Sequence, residues 1–174
     1  GVLAIKYGIP IFATKGTIAA IKQTKSVGAI DEDLFQPICA DEKLIVKDMT
    51  LNPMQISHDA AEPVAFRINS YEKSIAVITD LGVYDQRTID ELQNLDALLL
   101  EANHDINLLQ VGPYPYSLKM RILGDKGHLS NDSSARLIKE IFKEPFTEIE
   151  VSYRLMPCGK RTEPLWISSR NTKD

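Results

Sequence analysis

Cysteine is scarce in this chain: there are two in 174 residues, Cys39 and Cys158, in unrelated contexts. That excludes a disulfide scaffold and any Cys-based metal or redox motif, and leaves buried or idle thiols in a reducing compartment. Long apolar runs are missing, and no charged-then-apolar leader opens the chain, so neither a membrane span nor an export signal is expected. A cytoplasmic setting with no membrane partner follows. Neither charge dominates. With 20 Lys and Arg against 24 Asp and Glu, the net charge of −4 provides no global basic field for nucleic acid, and only a local patch can supply one. Internal repeats and low-complexity segments are absent, and nothing sets the oligomeric state. What is present, 44% hydrophobic and 25% charged residues, is the composition of a globular domain long enough to bury a core.

Histidine is the informative scarcity. All three, His58, His104 and His128, fall between Gln55 and Asp132. Around them stand S-H-D at Ser57–Asp59, I-T-D-L-G at Ile78–Gly82, and E-A-N-H-D…G-H-L-S-N from Glu101 to Asn131. Each places a His or a carboxylate at the end of an apolar run, where a sheet meets its loops.

The pattern predicts an α/β chain. Gly1 to Tyr7 reads as the last turns of a helix closed by Gly8. A short strand over 9–13 leads to a helix through Gln23, capped by Thr14 or Thr17. Residues 24–40 lack periodicity and read as loop. Strands follow at 43–47, 50–56, 63–69 and 74–79, the last two joined as a hairpin. Ile75-Ala-Val-Ile is a continuous apolar run, as expected of a strand covered on both faces, and Asp80 ends it. Thr88-Ile-Asp-Glu91 matches a capping box for a helix burying Ile89, Leu92 and Leu95. Another buried strand over 96–100 ends at Glu101. Helices are expected from Asn103 or His104 to Val111, over 115–123, and from Ser130 or Asn131 to near Pro145. The last of these buries Ala135, Ile138, Ile141 and Phe142. Glu148–Val151 can begin a strand, and little pattern follows it.

A hydrolase that uses divalent ions needs imidazole nitrogens and carboxylate oxygens converging on them, so that hydroxide is available at neutral pH. His58 and Asp80, at two strand ends with one hairpin between, suit that role; polar residues at loop edges would read the same way. Glu101 and His128 make a general-acid device, in which the carboxylate orients the imidazole and raises its pKa. The bland alternative is a loop or capping histidine. His104 reads as a first-turn helix residue packed against the site rather than a ligand. Lys119, Arg121, Lys126 and Arg136 either line a phosphate path or sit on solvated faces. Tyr114, Pro115 and Tyr116 either stack on a base or pack a loop.

Taken together, His58-Asp-Ala-Ala-Glu-Pro, Ile78-Thr-Asp-Leu-Gly, Leu99-Leu-Glu-Ala-Asn-His-Asp and Lys119-Met-Arg-Ile…Gly-His-Leu-Ser-Asn resemble the metallo-β-lactamase fold hydrolases. Within them the likeness is to the bacterial VicX/YycJ/WalJ group, over roughly residues 1–145. The resemblance implies an αββα sandwich, here incomplete, with two divalent ions, zinc or manganese, at one sheet edge. It makes His58 a metal ligand and Asp80 the bridging carboxylate. Glu101 and His128 become the catalytic proton-handling pair, with Asp59, Asn103 and His104 beside the site. DNA or another phosphodiester is the implied substrate, cleaved as by a 5′-to-3′ exonuclease.

The family's H-x-H-x-D-H motif is not in the chain, and its closing H-L-S has no counterpart near Ser152–Cys158. The expectation is therefore a fragment of a longer enzyme. Residues 1–150 form the C-terminal portion of the domain, 151–174 an atypical tail, and metal binding is weak or absent in this chain alone. The alternatives are an inactive remnant or interaction module, or a hydrolase of small esters or thioesters on the same fold.

Overall fold

The computed structural model describes residues 1–142 and the short strand at 167–168. The expected strand at Glu148–Val151 and Cys158 lie outside those residues, and the last helix, expected to run to near Pro145, ends at Ile141 with Phe142 as its cap. Cys39, expected to be buried or idle, is a free and exposed thiol.

Helix α1 (Val2–Tyr7) ends where the sequence predicts, at Gly8, whose φ of 63° is a left-handed conformation that glycine adopts without a Cβ penalty. Strand β1 (Ile11–Thr14) runs into α2 (Lys15–Gln23), and the Thr14 hydroxyl caps the helix by accepting from the Thr17 amide. The stretch expected to be loop holds β2 (Phe35–Ile38), which pairs in parallel with β1. Its burial alternates poorly, with Pro37 inside it and only Phe35 and Ile38 buried, so no period-2 signal exists. Ala13, Ile18 and Phe35 form a small core of their own.

The main sheet has six strands in chain order: β3 (Leu44–Val46), β4 (Met49–Gln55), β5 (Val64–Ser70), β6 (Lys73–Ile78), β7 (Ala97–Leu100) and β8 (Ile167–Ser168). All neighbours are antiparallel except β6 and β7. That parallel pair is joined through α3 (Gln86–Glu91), the crossover such pairing requires. The backbone of β8 extends the sheet from within the stretch read as patternless tail, opposite Ala97 and Leu98.

One face of this sheet is a true core. Ala76 and Ile78 of β6 and Leu98 and Leu100 of β7 join Leu92, Leu95, Leu137 and Ile141 in a single buried cluster. Burying a Leu or Ile side chain there contributes about 1.5–3 kcal/mol. The other face differs from expectation. Ile75 is 39% exposed, and Val77 and Leu99 are only half-buried. Across part of it stands the β1–α2 unit, separated by a gap of about 480 Å³ between Phe12 and Thr14 on one side and Phe66 and Val77 on the other. A continuous apolar run thus has only one fully covered face among the described residues.

Smaller corrections have local causes. The cap of α3 is Asp85, whose carboxylate accepts from the Thr88 amide at 2.9 Å, not Thr88 itself. Helix α4 (Ile106–Val111) begins after the Asp105 cap, so His104 is outside it. Pro115 caps α5 (Tyr116–Leu123) rather than opening it. In α6 (Asn131–Ile141), capped by Ser130, the buried stripe is Ser134, Leu137 and Ile141, and Ala135 faces solvent. No helix among the described residues is long and apolar enough to cross a membrane.

Candidate metal centre

The site is built where β6 and β7 end side by side. Asp80 follows β6 and Glu101 follows β7, and the Glu101 amide continues the ladder by donating to Ile78 O at 3.0 Å. The loop after β4 brings His58 to the same edge. The turn after α5 brings His128, whose backbone amide donates to Ile122 O.

These pieces are bolted together by main-chain hydrogen bonds. Gly82 N donates to Ser57 O at 2.8 Å, and Asp59 N to Lys126 O at 3.0 Å. The Ser57 hydroxyl donates to Asp125 O at 2.7 Å. Gly82 and Gly127 are required here by close approach. A Cβ on Gly82 would stand 2.1 Å from Asp125 O, and one on Gly127 2.2 Å from Ile122 O.

Glu101 is the most constrained side chain of the group. Its Oε1 accepts from the Leu81 amide at 2.6 Å and the Leu129 amide at 3.1 Å, and its Oε2 lies 2.9 Å from His128 Nδ1. The Ser134 hydroxyl donates to its carbonyl oxygen at 2.5 Å, tying α6 to the same residue. Because Oε2 only accepts from His128, the ring's proton sits on Nδ1, and Nε2 is left for other work. The Glu101 hydrogen bond raises the His128 pKa above the usual imidazole value, with the charges of Glu101 and Asp80 adding to it and burial working against it.

His58, Asp80 and His128 each offer a ligand atom, and these atoms all lie within 4.8 Å of one another. Asp80 Oδ1 is 3.9 Å from His58 Nε2 and 3.7 Å from His128 Nδ1, and the two rings meet edge to face at 5.1 Å. His58 Nε2 is buried without a hydrogen-bond partner among the described residues. An orphaned imidazole nitrogen beside a carboxylate and a second imidazole is a donor set that suits zinc or manganese. The residues therefore fit one ion, with two donors from His58 and Asp80 and at most a third from His128. Two ions need more ligands than this group supplies.

His58 Nδ1 accepts from the Ala60 amide at 3.1 Å, and the Asp59 carboxylate lies 3.6 Å from the same nitrogen. Asp59 is itself gripped by Arg121 through two hydrogen bonds, which hold its carboxyl below the ordinary range. The remaining expected neighbours, Asn103 and His104, are not in the His58–Asp80–His128 cluster. His104 bridges Ser130 through the backbone, is 3% exposed, and has both ring nitrogens buried without partners among the described residues. Burial lowers its pKa. Asn103 Oδ1 is likewise buried and unpartnered.

Sequence reading missed the two amides that hold Glu101 and the Ser134 anchor, for which no motif exists. Gly82 was legible only as part of I-T-D-L-G. Of the four basic candidates, Arg121 is committed to Asp59, Lys119 donates to Gln110 O, and Arg136 donates to the Ser133 hydroxyl.

Comparison with known proteins gives the family and the fold. The family model described as "Beta-lactamase superfamily domain" matches residues 1–146. Exodeoxyribonuclease WalJ of Streptococcus pneumoniae is 36% identical over 135 residues, covering 78% of this chain and 50% of the relative. Exodeoxyribonuclease YycJ of Bacillus anthracis is 31% identical over 153 residues, covering 88% of this chain and 57% of the relative. The chain thus spans about half the length of these relatives. Among solved structures, zinc-bound PqqB from Methylobacterium extorquens superposes with a TM-score of 0.59 at 18% identity, over 79% of this chain and 52% of that one.

Proposed function

The chain belongs to the beta-lactamase superfamily domain family, and from that premise we propose that it is part of a metal-dependent phosphodiesterase that cleaves DNA as an exonuclease. The observation that carries the reading is the Glu101–His128 pair standing directly beside the His58–Asp80 group. Relatives named as exodeoxyribonucleases support it.

In this reading His58 and Asp80 would hold a divalent ion, zinc or manganese, which would supply Lewis-acid activation of water at neutral pH. His128 handles the proton. Its Nδ1 stays bonded to Glu101, so a proton on Nε2 can be passed to the departing oxyanion, and the raised pKa keeps that proton available near neutrality. Glu101 orients the ring and balances its charge, and the two amides on Oε1 stop the carboxylate from turning away. The setting is cytoplasmic, consistent with DNA as substrate and with the exposed free thiol of Cys39.

The test has two parts. Zinc or manganese titrated into this chain should saturate at no more than one equivalent, because His58 and Asp80 supply two donors and His128, the proton carrier in this reading, is at most a third. In the protein of full length, His128→Ala should abolish most DNA cleavage while bound metal is retained. Loss of the metal instead would make His128 a ligand, and cleavage of a thioester with none of DNA would replace the substrate class.

A further inference from the structure

A cleft of about 520 Å³ opens on the side of His58 that faces α3. That volume lies in the range that holds a small organic ligand. Ile56, Pro63, Val83 and Tyr84 supply apolar wall, and Ser57 and Lys126 line it together with His58 itself. The cleft therefore shares a wall with the candidate metal centre.

Lys126 is distinguished from the other cations near the site. Arg121 is paired with Asp59 and Arg87 with Asp41, and Lys119 and Arg136 are bonded to oxygens of their own neighbourhood. Among the described residues, the Lys126 ammonium has no acidic partner. Its backbone, by contrast, is fixed: the Lys126 carbonyl accepts from Asp59 N, the Asp125 carbonyl accepts from the Ser57 hydroxyl, and Gly127 N donates to Gly124 O. An unpaired cation on a rigid turn at the edge of a cleft is placed to receive an anion, since no existing ion pair has to break. The α3 wall carries Asp85 and Glu91, which stay anionic while bonded to the Thr88 amide and to the Asn52 side chain, so an anion entering the cleft is directed away from α3 and toward Lys126.

We propose that this cleft binds one nucleotide unit of the substrate, its sugar and base against the apolar wall and its phosphate on Lys126. The assignment deepens the phosphodiesterase reading and rests on it for the substrate class. It makes Lys126 a specificity-determining contact that discriminates a nucleotide from a nucleoside.

The experiment uses the metal-free chain, with amide chemical shifts followed by NMR during titration with deoxyadenosine 5′-monophosphate, deoxyadenosine and inorganic phosphate. The monophosphate should shift Ser57, Val83 and Tyr84 and bind about fivefold more tightly than the nucleoside, the upper range for one exposed charge pair. Lys126→Ala should erase that difference without changing nucleoside binding, and Lys126→Arg should keep it. Val83→Trp, which fills the cleft, should weaken both ligands. Equal binding of nucleotide and nucleoside by the unaltered chain, shifts confined to other surfaces, or phosphate alone binding as tightly as the nucleotide would overturn the proposal. Cleavage is a separate measurement. A cleft that binds the monophosphate through Lys126 in a protein that cuts no DNA would keep this site and remove the reaction, and the reverse would remove only the site.

Discussion

Glu101 Oε2 lies 2.9 Å from His128 Nδ1, while Oε1 of the same carboxylate is held by the Leu81 and Leu129 amides. One residue thus locks together the ends of two parallel strands and the turn that carries the histidine.

Glu101→Gln should lower the His128 pKa, as read from its ring resonances by NMR, because the hydrogen bond and charge that raise it are weakened. The sign for stability follows. A raised folded pKa contributes stability that is full below the unfolded value of about 6.5 and is lost as pH rises through the folded pKa. Urea unfolding should therefore show the wild type's advantage over the variant shrinking from pH 6 to pH 8. An advantage that grows over that range would contradict the assigned pair.

Gly82→Ala should destabilise the chain by about 1–3 kcal/mol, since a Cβ there meets Asp125 O at 2.1 Å and the backbone must move. The turn it displaces carries Lys126 and His128, so the same variant should also change the His128 shifts. Thermal unfolding together with an NMR spectrum checks both. An unperturbed His128 would mean that the strand end and the turn are not coupled.

Asp59→Ala should weaken zinc binding by about tenfold, the lower end for loss of a carboxylate behind a ligating histidine. The reason is the 3.6 Å approach of Asp59 to His58 Nδ1: ligation through Nε2 moves the ring proton to Nδ1, which must then exchange the Ala60 amide it accepts from for the Asp59 carboxylate. Competition with a chelating dye measures the affinity. If Arg121→Ala reproduces the loss in full, Asp59 acts only when Arg121 holds it; if neither variant matters, Asp59 merely anchors α5.

His104→Leu should cost nothing at pH 7, or stabilise by up to about 2 kcal/mol, because both buried ring nitrogens lack partners among the described residues. Burial depresses the His104 pKa, so the unfolded chain binds the proton more readily and the wild type loses stability as pH falls below about 6.5. The variant should lose less over the same interval. A cost above about 2 kcal/mol at pH 7 would reveal a partner for the ring.

The local chemistry of this chain is legible in its sequence. Gly8 ends α1 because glycine tolerates the left-handed turn, Thr14 caps α2, and Ser130 caps α6. The placement of Asp80 and Glu101 at strand ends follows from the apolar runs before them. β2 was illegible because its parallel pairing with β1 is a distant contact across a proline-containing strand with only two buried residues. Thr88 reads as the α3 cap because its spacing to Glu91 matches a box, whereas Asp85 offers a stronger acceptor three residues earlier.

By itself, then, the sequence determined which residue types stand at which strand ends, and the ordered motifs determined the family. Only the tertiary structure decided how those residues share one another. His128 faces both Glu101 and Asp80, Arg121 is spent on Asp59, Lys126 lines a cleft with no acidic partner among the described residues, and His104 is buried with no side-chain partner among them. The physical reason is that each of these depends on the packing of loops far apart in the chain, fixed by amide hydrogen bonds and glycine contacts that no side-chain pattern encodes.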